Sequence, residues 1–357
     1  MGRDTLSDLL GAVRLRGAVF YYVSCWRDWA TEAPPAREIA AAVMPGADQV
    51  MAFHMVARGS AWAAVSGDAP LRLEAGDIVV LPHGDAHVMS SAPGLAAERQ
   101  QPEWVFANRD APRPMPISFR DGIGVPTPDA PSDDADADAV LVCGFLGCDL
   151  RPFNPLVTTL PRLLHLPAAR AGGWMANVID QAAQESAERR AGGDAVLERL
   201  AEMMFVDTVR RYLEDLPADA RGWLAGLRDR HVGRALALLH GDPAHPWTID
   251  ELGRHAGLSR SALHERFVQF LGQPPMHYLA SWRIQIGSRL LRETGHTVAS
   301  IAVEVGYESE AAFSRMFKRL VGVPPAAWRR QAQPAVPPTA SATAASVSSG
   351  AHNSMKR

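Results

Sequence analysis

Between Trp247 and Trp328 this 357-residue chain carries one pattern twice. The first copy runs Thr248–Ile249–Asp250–Glu251–Leu252, then Ala256–Gly257–Leu258–Ser259, Leu263, Phe267, Gly272 and Pro274–Pro275. The second runs Thr297–Val298, Ile301, Val305–Gly306–Tyr307, Ser309, Phe313, Phe317, Gly322 and Pro324–Pro325. The copies lie 49 residues apart before the turn (Thr248 to Thr297) and 50 after it (Phe267 to Phe317), so the second turn is one residue longer. Apolar positions, glycines and helix-start residues are kept while surface residues change. The repeat therefore preserves a shape, and what the shape presents is free to vary.

Each copy predicts a helix, a tight turn and a second helix. Thr248 with Glu251 makes a capping box, and Ile249, Leu252 and Ala256 share one face. Gly257 supplies the left-handed backbone that ends the first helix, and Ser259 caps the second, whose Leu263 and Phe267 look back at the first. That is the helix-turn-helix arrangement, whose second helix enters the DNA major groove. A single copy could equally be an ordinary helical pair; two copies in register with the same Gly-x-Pro-Pro exit favour the DNA-reading form. Between them Pro275 opens an apolar-periodic helix to Glu293, carrying Leu279, Trp282, Ile286, Leu290 and Leu291. Nineteen residues at about 1.5 Å each span about 28 Å. Successive major-groove faces lie about 34 Å apart, so such a spacer suits two readers on one duplex.

Residues 230–330 resemble the DNA-binding domain of AraC/XylS-type bacterial transcription regulators. The likeness rests on Leu258–Ser259–Arg260–Ser261–Ala262–Leu263 to Phe267, on Tyr278–Leu279 to Trp282–Arg283, and on Val305–Gly306–Tyr307–Glu308–Ser309 to Phe313–Ser314–Arg315–Met316–Phe317–Lys318. The resemblance implies that Arg260, Ser261, His264 and Glu265 of the first reading helix face bases, as do Glu310, Ala311, Ser314 and Arg315 of the second. Arg266 and Lys318 are counted with these DNA-contact candidates. Glu265 stands where many members carry a basic residue, the arginine here coming one place later at Arg266. It would either accept from a cytosine amino group or pair with a neighbouring arginine. Arg315 keeps the family pattern, with guanine as its natural partner.

Charge fits a division of labour. The whole chain is −3, yet residues 226–330 hold fourteen Lys and Arg against nine Asp and Glu, while residues 1–225 hold twenty against thirty. A basic module on an acidic body suits selective rather than indiscriminate DNA binding.

The first half reads differently. Short apolar runs at Val50–Val56, Ala61–Val65, Leu71–Leu73 and Ile78–Leu81 are broken at Gly59, Gly67–Asp68, Gly76–Asp77 and Gly84–Asp85, which predicts a β-barrel or sandwich. The stretch Gly76–Asp77–Ile78–Val79–Val80–Leu81–Pro82–His83–Gly84–Asp85–Ala86–His87 resembles the second motif of cupin barrels. Residues 6–166 are similar to the cupin-like sensor placed ahead of AraC-type DNA-binding domains, as Leu15–Arg16–Gly17–Ala18–Val19, Phe53–His54, Cys143–Gly144, Asn154–Pro155–Leu156 and Leu160–Pro161 indicate. The first cupin metal motif, His-x-His with a glutamate, is absent. Only His54 remains, five residues before Gly59; in the family the acidic ligand lies seven before the equivalent glycine, and since strand side chains alternate with period two the resemblance implies that His54 points inward with His87. His54, His87 and Trp62 are candidate effector contacts. His54, His87 and Cys143 could together hold a divalent metal such as zinc, although none is required; equally, the histidines could bond only within the barrel and Cys143 pack as a small apolar residue.

Cys25, Cys143 and Cys148 are too few for a disulfide scaffold. They are candidate oxidant sensors, Cys148 as a resolving partner in a turn, or else unreactive buried thiols. No apolar run reaches membrane-spanning length and residues 1–30 lack a signal-peptide pattern, so a cytoplasmic protein is expected. Residues 126–139 read as a surface loop, 174–189 and 194–215 as helices in a connector (171–228) able to carry a homodimer contact, and 331–357 as a disordered tail. The expectation is an α+β chain: a cupin-like barrel over 1–170, the connector, and an all-α double helix-turn-helix over 229–330. Its partners would be promoter DNA, a small-molecule effector and, if it activates, RNA polymerase. The rival is a metal-dependent cupin enzyme, a dioxygenase or isomerase, fused to a DNA-binding domain.

Overall fold

A computed structural model describes residues 4–120, 123–126, 135–188 and 190–332. Residues 127–134 of the expected loop, and the expected tail from residue 333 on, fall outside these. Among the described residues the first half has twelve strands: β1 (Arg16–Trp26), β2 (Ala30–Ala33), β3 (Gln49–Arg58), β4 (Ser60–Val65), β5 (Leu71–Glu74), β6 (Ile78–Leu81), β7 (His87–Ser90), β8 (Glu98–Arg99), β9 (Met115–Arg120), β10 (Ile123–Pro126), β11 (Ala139–Cys148) and β12 (Leu164–Leu166). One sheet runs β10-β9-β1-β11-β3-β6-β12 and the other β5-β4-β7-β2-β8. The four runs legible in the sequence are β3 to β6.

The central strands are buried on both faces, which their near-continuous apolar sequence allows. All ten residues of β11 are buried. Leu141, Cys143 and Phe145 face the barrel interior, while Val140, Val142, Leu146 and Cys148 face a helical layer outside. That layer is the helix Gly173–Glu188 and the helix Gly193–Asp215. The apolar stripe of the second helix divides: Leu197, Ala201 and Met204 are buried, whereas Val196 and Met203 are about half exposed at 41% and 49%.

The second half is all helical. The spacer helix Pro275–Glu293 belongs to two cores. Its Tyr278, Leu279 and Trp282 pack with Leu252, Ala256, Leu263 and Phe267 of the first repeat. Its Ile284 and Leu291 pack with Ile301, Phe313 and Phe317 of the second. The first of these cores is continuous with the helical layer on the seven-stranded sheet; the second is separate. The helix Trp223–Arg228, assigned by sequence to the connector, is tied to the second half: Trp223 donates its indole N–H to Tyr278 Oη at 2.8 Å. The Tyr278 hydroxyl hydrogen is therefore left for His240 Nε2, 2.7 Å away.

Two buried polar residues join the halves. Gln285, 1% exposed, donates to the Ala12 carbonyl at 2.8 Å and accepts from the Phe153 amide at 3.0 Å. Asp149, at the end of β11 and 3% exposed, takes Arg14 through both carboxylate oxygens (2.7 and 2.6 Å) and Arg292 of the spacer at 2.5 Å.

Removing one member of a buried ion cluster leaves its partners uncompensated. Asp149→Ala should therefore cost about 3–5 kcal/mol, measured by urea unfolding; a loss below about 1 kcal/mol would mean the cluster behaves as a surface pair. Burial also pushes His240 down to about 3. The unfolded chain takes up this proton near pH 6.5 and the folded chain does not, so stability is complete above about 6.5 and lost as pH falls below it. Between roughly pH 6 and pH 4, His240→Phe should flatten the fall in unfolding free energy by about 1.4 kcal/mol per pH unit; an unchanged slope would contradict the neutral buried imidazole.

Candidate functional site: a nucleic-acid interface and a barrel cavity

Both repeats form the helices, turns and helix starts that their sequence predicts, except that Glu251 does not complete a capping box with Thr248: its carboxylate takes His245 Nε2 at 2.9 Å instead. The four helix-start residues each accept a bond from the amide three residues on: Thr248 from Glu251, Ser259 from Ala262, Thr297 from Ser300 and Ser309 from Ala312. Gly257 lies in the left-handed region at φ 76°, and Gly306 at φ 87° backs directly onto Ala244, where an added Cβ would come within 2.7 Å of backbone. Arg283 of the spacer holds the same loop through the carbonyls of Pro243 (2.7 Å) and His245 (2.8 Å). The loop ahead of the first unit is thus clamped by the spacer and the second unit.

The reading helices are Arg260–Leu271 and Glu310–Val321. In the first, Leu263 and Phe267 are buried while Arg260, Ser261, His264, Glu265 and Arg266 are exposed. In the second, Phe313 and Phe317 are buried, Glu310, Ala311, Arg315 and Lys318 are exposed, and Ser314 is half-buried. The helical period thus gathers the family-pattern positions on the outward side of each helix.

Two of these side chains differ from expectation. Arg266 turns back to Asp229, its Nε 3.0 Å from both carboxylate oxygens, and Asp229 in turn caps the helix Arg230–Gly241. It is committed to the protein. Glu265 makes no ion pair among the described residues, because the arginine beside it is taken. Arg260 reaches Asp250 at 3.4 Å, both side chains being well exposed; such a pair holds weakly.

The barrel interior contains a cavity of about 100 Å³. His54, His87 and Cys143 all line it, brought together by register: Cys143 pairs with His54 across β11 and β3. They form a chain of hydrogen bonds. Cys143 Sγ lies 2.9 Å from His54 Nδ1, His54 Nε2 lies 2.8 Å from His87 Nε2, and His87 Nδ1 lies 3.1 Å from the Asp85 carbonyl. A carbonyl only accepts, so His87 carries its proton on Nδ1. In a neutral ring its Nε2 must then accept from His54 Nε2–H, and His54 Nδ1 from the Cys143 thiol. Burial supports this neutral state: it holds His54 well below and His87 below the usual imidazole range, and pushes the Cys143 thiol well up.

This geometry does not suit a three-ligand metal site. His54 turns opposite ring nitrogens to Cys143 and His87, so the three donor atoms do not converge on one point. Nor does Trp62 belong to the cavity. Along β4 it is Ala61, Ala63 and Val65 that are buried, and Trp62 points to the other face. The walls that sequence reading missed are Tyr21, Trp29, Thr31, Gln100, Phe119 and Phe145; they come from strands, or from residues flanking them, whose pairing joins distant segments.

The three thiols are buried. Cys148 lies within β11, not in a turn, five places from Cys143 and on its opposite face, roughly 17 Å along an extended strand. Cys25 pairs with Ala139, four places from Cys143. A disulfide needs Cα atoms within about 7 Å, so the resolving-partner arrangement does not fit the fold.

Among the described residues no helix is long and apolar enough to cross a membrane. Residues 4–214 match the family model described as Cupin, and residues 252–331 the one described as Helix-turn-helix domain. A Streptomyces lividans protein described as an AraC-like transcription regulator is 37% identical over 294 residues, covering 81% of this chain and 90% of that one. The HTH-type transcriptional regulator AlkR of Acinetobacter baylyi is 27% identical over 331 residues, 92% of this chain and 99% of that one. With its cupin domain followed by two fully capped helix-turn-helix units, the chain belongs to the AraC family of DNA-binding transcription regulators.

Proposed function

We propose that this regulator reads a specific promoter sequence with both helix-turn-helix units at once, and that a small molecule held in the barrel shifts it between DNA-binding states. The observation that carries the first part is the placement of exposed polar residues on two reading helices, each opposite a buried Leu/Phe or Phe/Phe pair, on one rigid spacer. The second part draws on the seam where Gln285 and Asp149 join the spacer to the sensor. A ligand that favours one arrangement of that seam changes DNA affinity by its differential affinity for the two states, and by no more. The setting is the cytoplasm. The half-exposed Val196 and Met203 on helix Gly193–Asp215 supply apolar surface for a second copy of the chain, and RNA polymerase is the further partner where the protein activates.

Arg315 is assigned direct base contact, and Lys318, on the same exposed side, contact with phosphate. Arg315→Ala should weaken binding to the selected operator by about 1–3 kcal/mol and relax preference at one base pair. Lys318→Ala should weaken operator and random DNA alike and lower the salt dependence by about one charge. Gel-shift titrations at several salt concentrations separate the two, and equal loss on random DNA for Arg315→Ala would contradict its assignment. Arg266→Ala, by contrast, should lower thermal stability while leaving base preference unchanged. A changed base preference would mean that Arg266 leaves Asp229 to reach the duplex.

A further inference from the structure

The polar groups at the back of the barrel cavity are already used. The Cys143 thiol hydrogen, the His54 Nε2 hydrogen and the His87 Nδ1 hydrogen each have an acceptor within the chain Cys143–His54–His87–Asp85 carbonyl. The two remaining ring nitrogens are themselves acceptors in it. A ligand could bond either imidazole only by breaking this chain, leaving a buried donor or acceptor unpaired.

The rest of the wall is largely apolar, with Trp29, Ile39, Met89, Phe119, Leu141 and Phe145 around the space. Among the described residues no lysine or arginine lines it. The one acidic lining residue, Asp85, points its carboxylate at Arg162 Nε, 3.2 Å away on the surface. Three uncharged polar side chains complete the wall: Tyr21, Thr31 and Gln100. Of these, Thr31 and Gln100 also line the shallower groove outside, together with Ile117 and Phe119, so they mark the mouth.

We infer that the barrel's ligand is an uncharged, mainly apolar molecule, about the size of one aromatic ring, admitted past Thr31 and Gln100. This rests on the reading of the barrel as the effector site and adds the ligand's chemistry. A carboxylate or ammonium group would lose its hydration there and meet no opposite charge. A sugar would bring several hydroxyls to a wall with few free partners. An apolar guest meets neither cost, and cavities of roughly 150 Å³ lined by Leu, Ile and Phe are known to admit benzene.

The test uses the full-length protein with toluene, benzoate and glucose as probes, followed by calorimetric titration and thermal unfolding. Toluene should raise the unfolding temperature and bind at least tenfold more tightly than benzoate, which adds only a carboxylate to the ring; glucose should give no shift. Ala52→Leu, placing a larger side chain in the cavity wall, should abolish the toluene response, and Met89→Phe serves the same purpose if the first variant does not fold. Benzoate or glucose matching toluene, no binding of toluene, or a toluene response that survives in the folded cavity-filling variant would overturn the inference. Operator titrations run alongside keep the two readings apart. Toluene binding with unchanged operator affinity would uphold the ligand class and sink the effector role.

Discussion

The structure hangs on the seam between β11 and the spacer helix. Asp149 gathers Arg14 from the sensor and Arg292 from the spacer, and Gln285 of the spacer bonds backbone at Ala12 and Phe153. Buried polar groups of this kind tolerate only the geometry that satisfies all of them. They set the rotation and height of the spacer on the barrel domain, and through the spacer they bear on where both reading helices stand. Because the spacer's first half shares one continuous apolar core with the sensor's helical layer, while its second half packs in a separate core, the two readers are not equivalent. The first is held to the sensor by packing. The second is held through Gln285 and Arg292, in the half of the spacer that packs with it, and by the loop that Arg283 and Gly306 clamp.

The repeat was legible because its determinants are local. Four capping residues, a left-handed glycine in each turn and aromatic or leucine pairs four apart act within a few residues of themselves, and all appear where the spacing put them. The strands β3 to β6 were legible for the same reason, as short runs bounded by glycine turns. Of the long strands, β11 was legible only as the apolar run Ala139–Cys143 and β1 not at all, since their extent is defined by pairing with each other and, for β11, also with β3 across about a hundred residues of chain. The helix Thr5–Ala12, which supplies the Ala12 carbonyl to Gln285, likewise takes its meaning from a partner 273 residues away.

The site residues divide along the same line. His54 and His87 were placed by the cupin likeness together with strand alternation, because the face of a strand follows from parity once one inward residue is known. Trp62 failed that reading. Its strand is Ser60–Ala61–Trp62–Ala63–Ala64–Val65, with small residues on both faces, so size gave no sign of which face was buried, and register turned the alanines inward. Arg266 failed for a different reason: its partner Asp229 is 37 residues upstream and caps another helix, so helix period could expose the arginine but could not show that it was engaged. Cys143 was grouped correctly with the histidines, and its relation to them is a matter of hydrogen positions that only the Asp85 carbonyl decides.

That commitment of Arg266 shapes how the two readers divide their work. The first reading helix offers Arg260, leaning on Asp250, with His264 and an unpaired Glu265. Its outward charge is close to balanced. The second offers Arg315 and Lys318 against Glu310, with no ion pair to any of them among the described residues. Attraction to the duplex, which scales with the phosphates neutralised, therefore falls more on the second unit. A carboxylate near base edges, by contrast, is repelled by phosphate and tolerated chiefly where a cytosine amino group meets it. On the proposed reading Glu265 would add discrimination at the expense of affinity in the first unit, and Lys318 with Arg315 would restore affinity in the second.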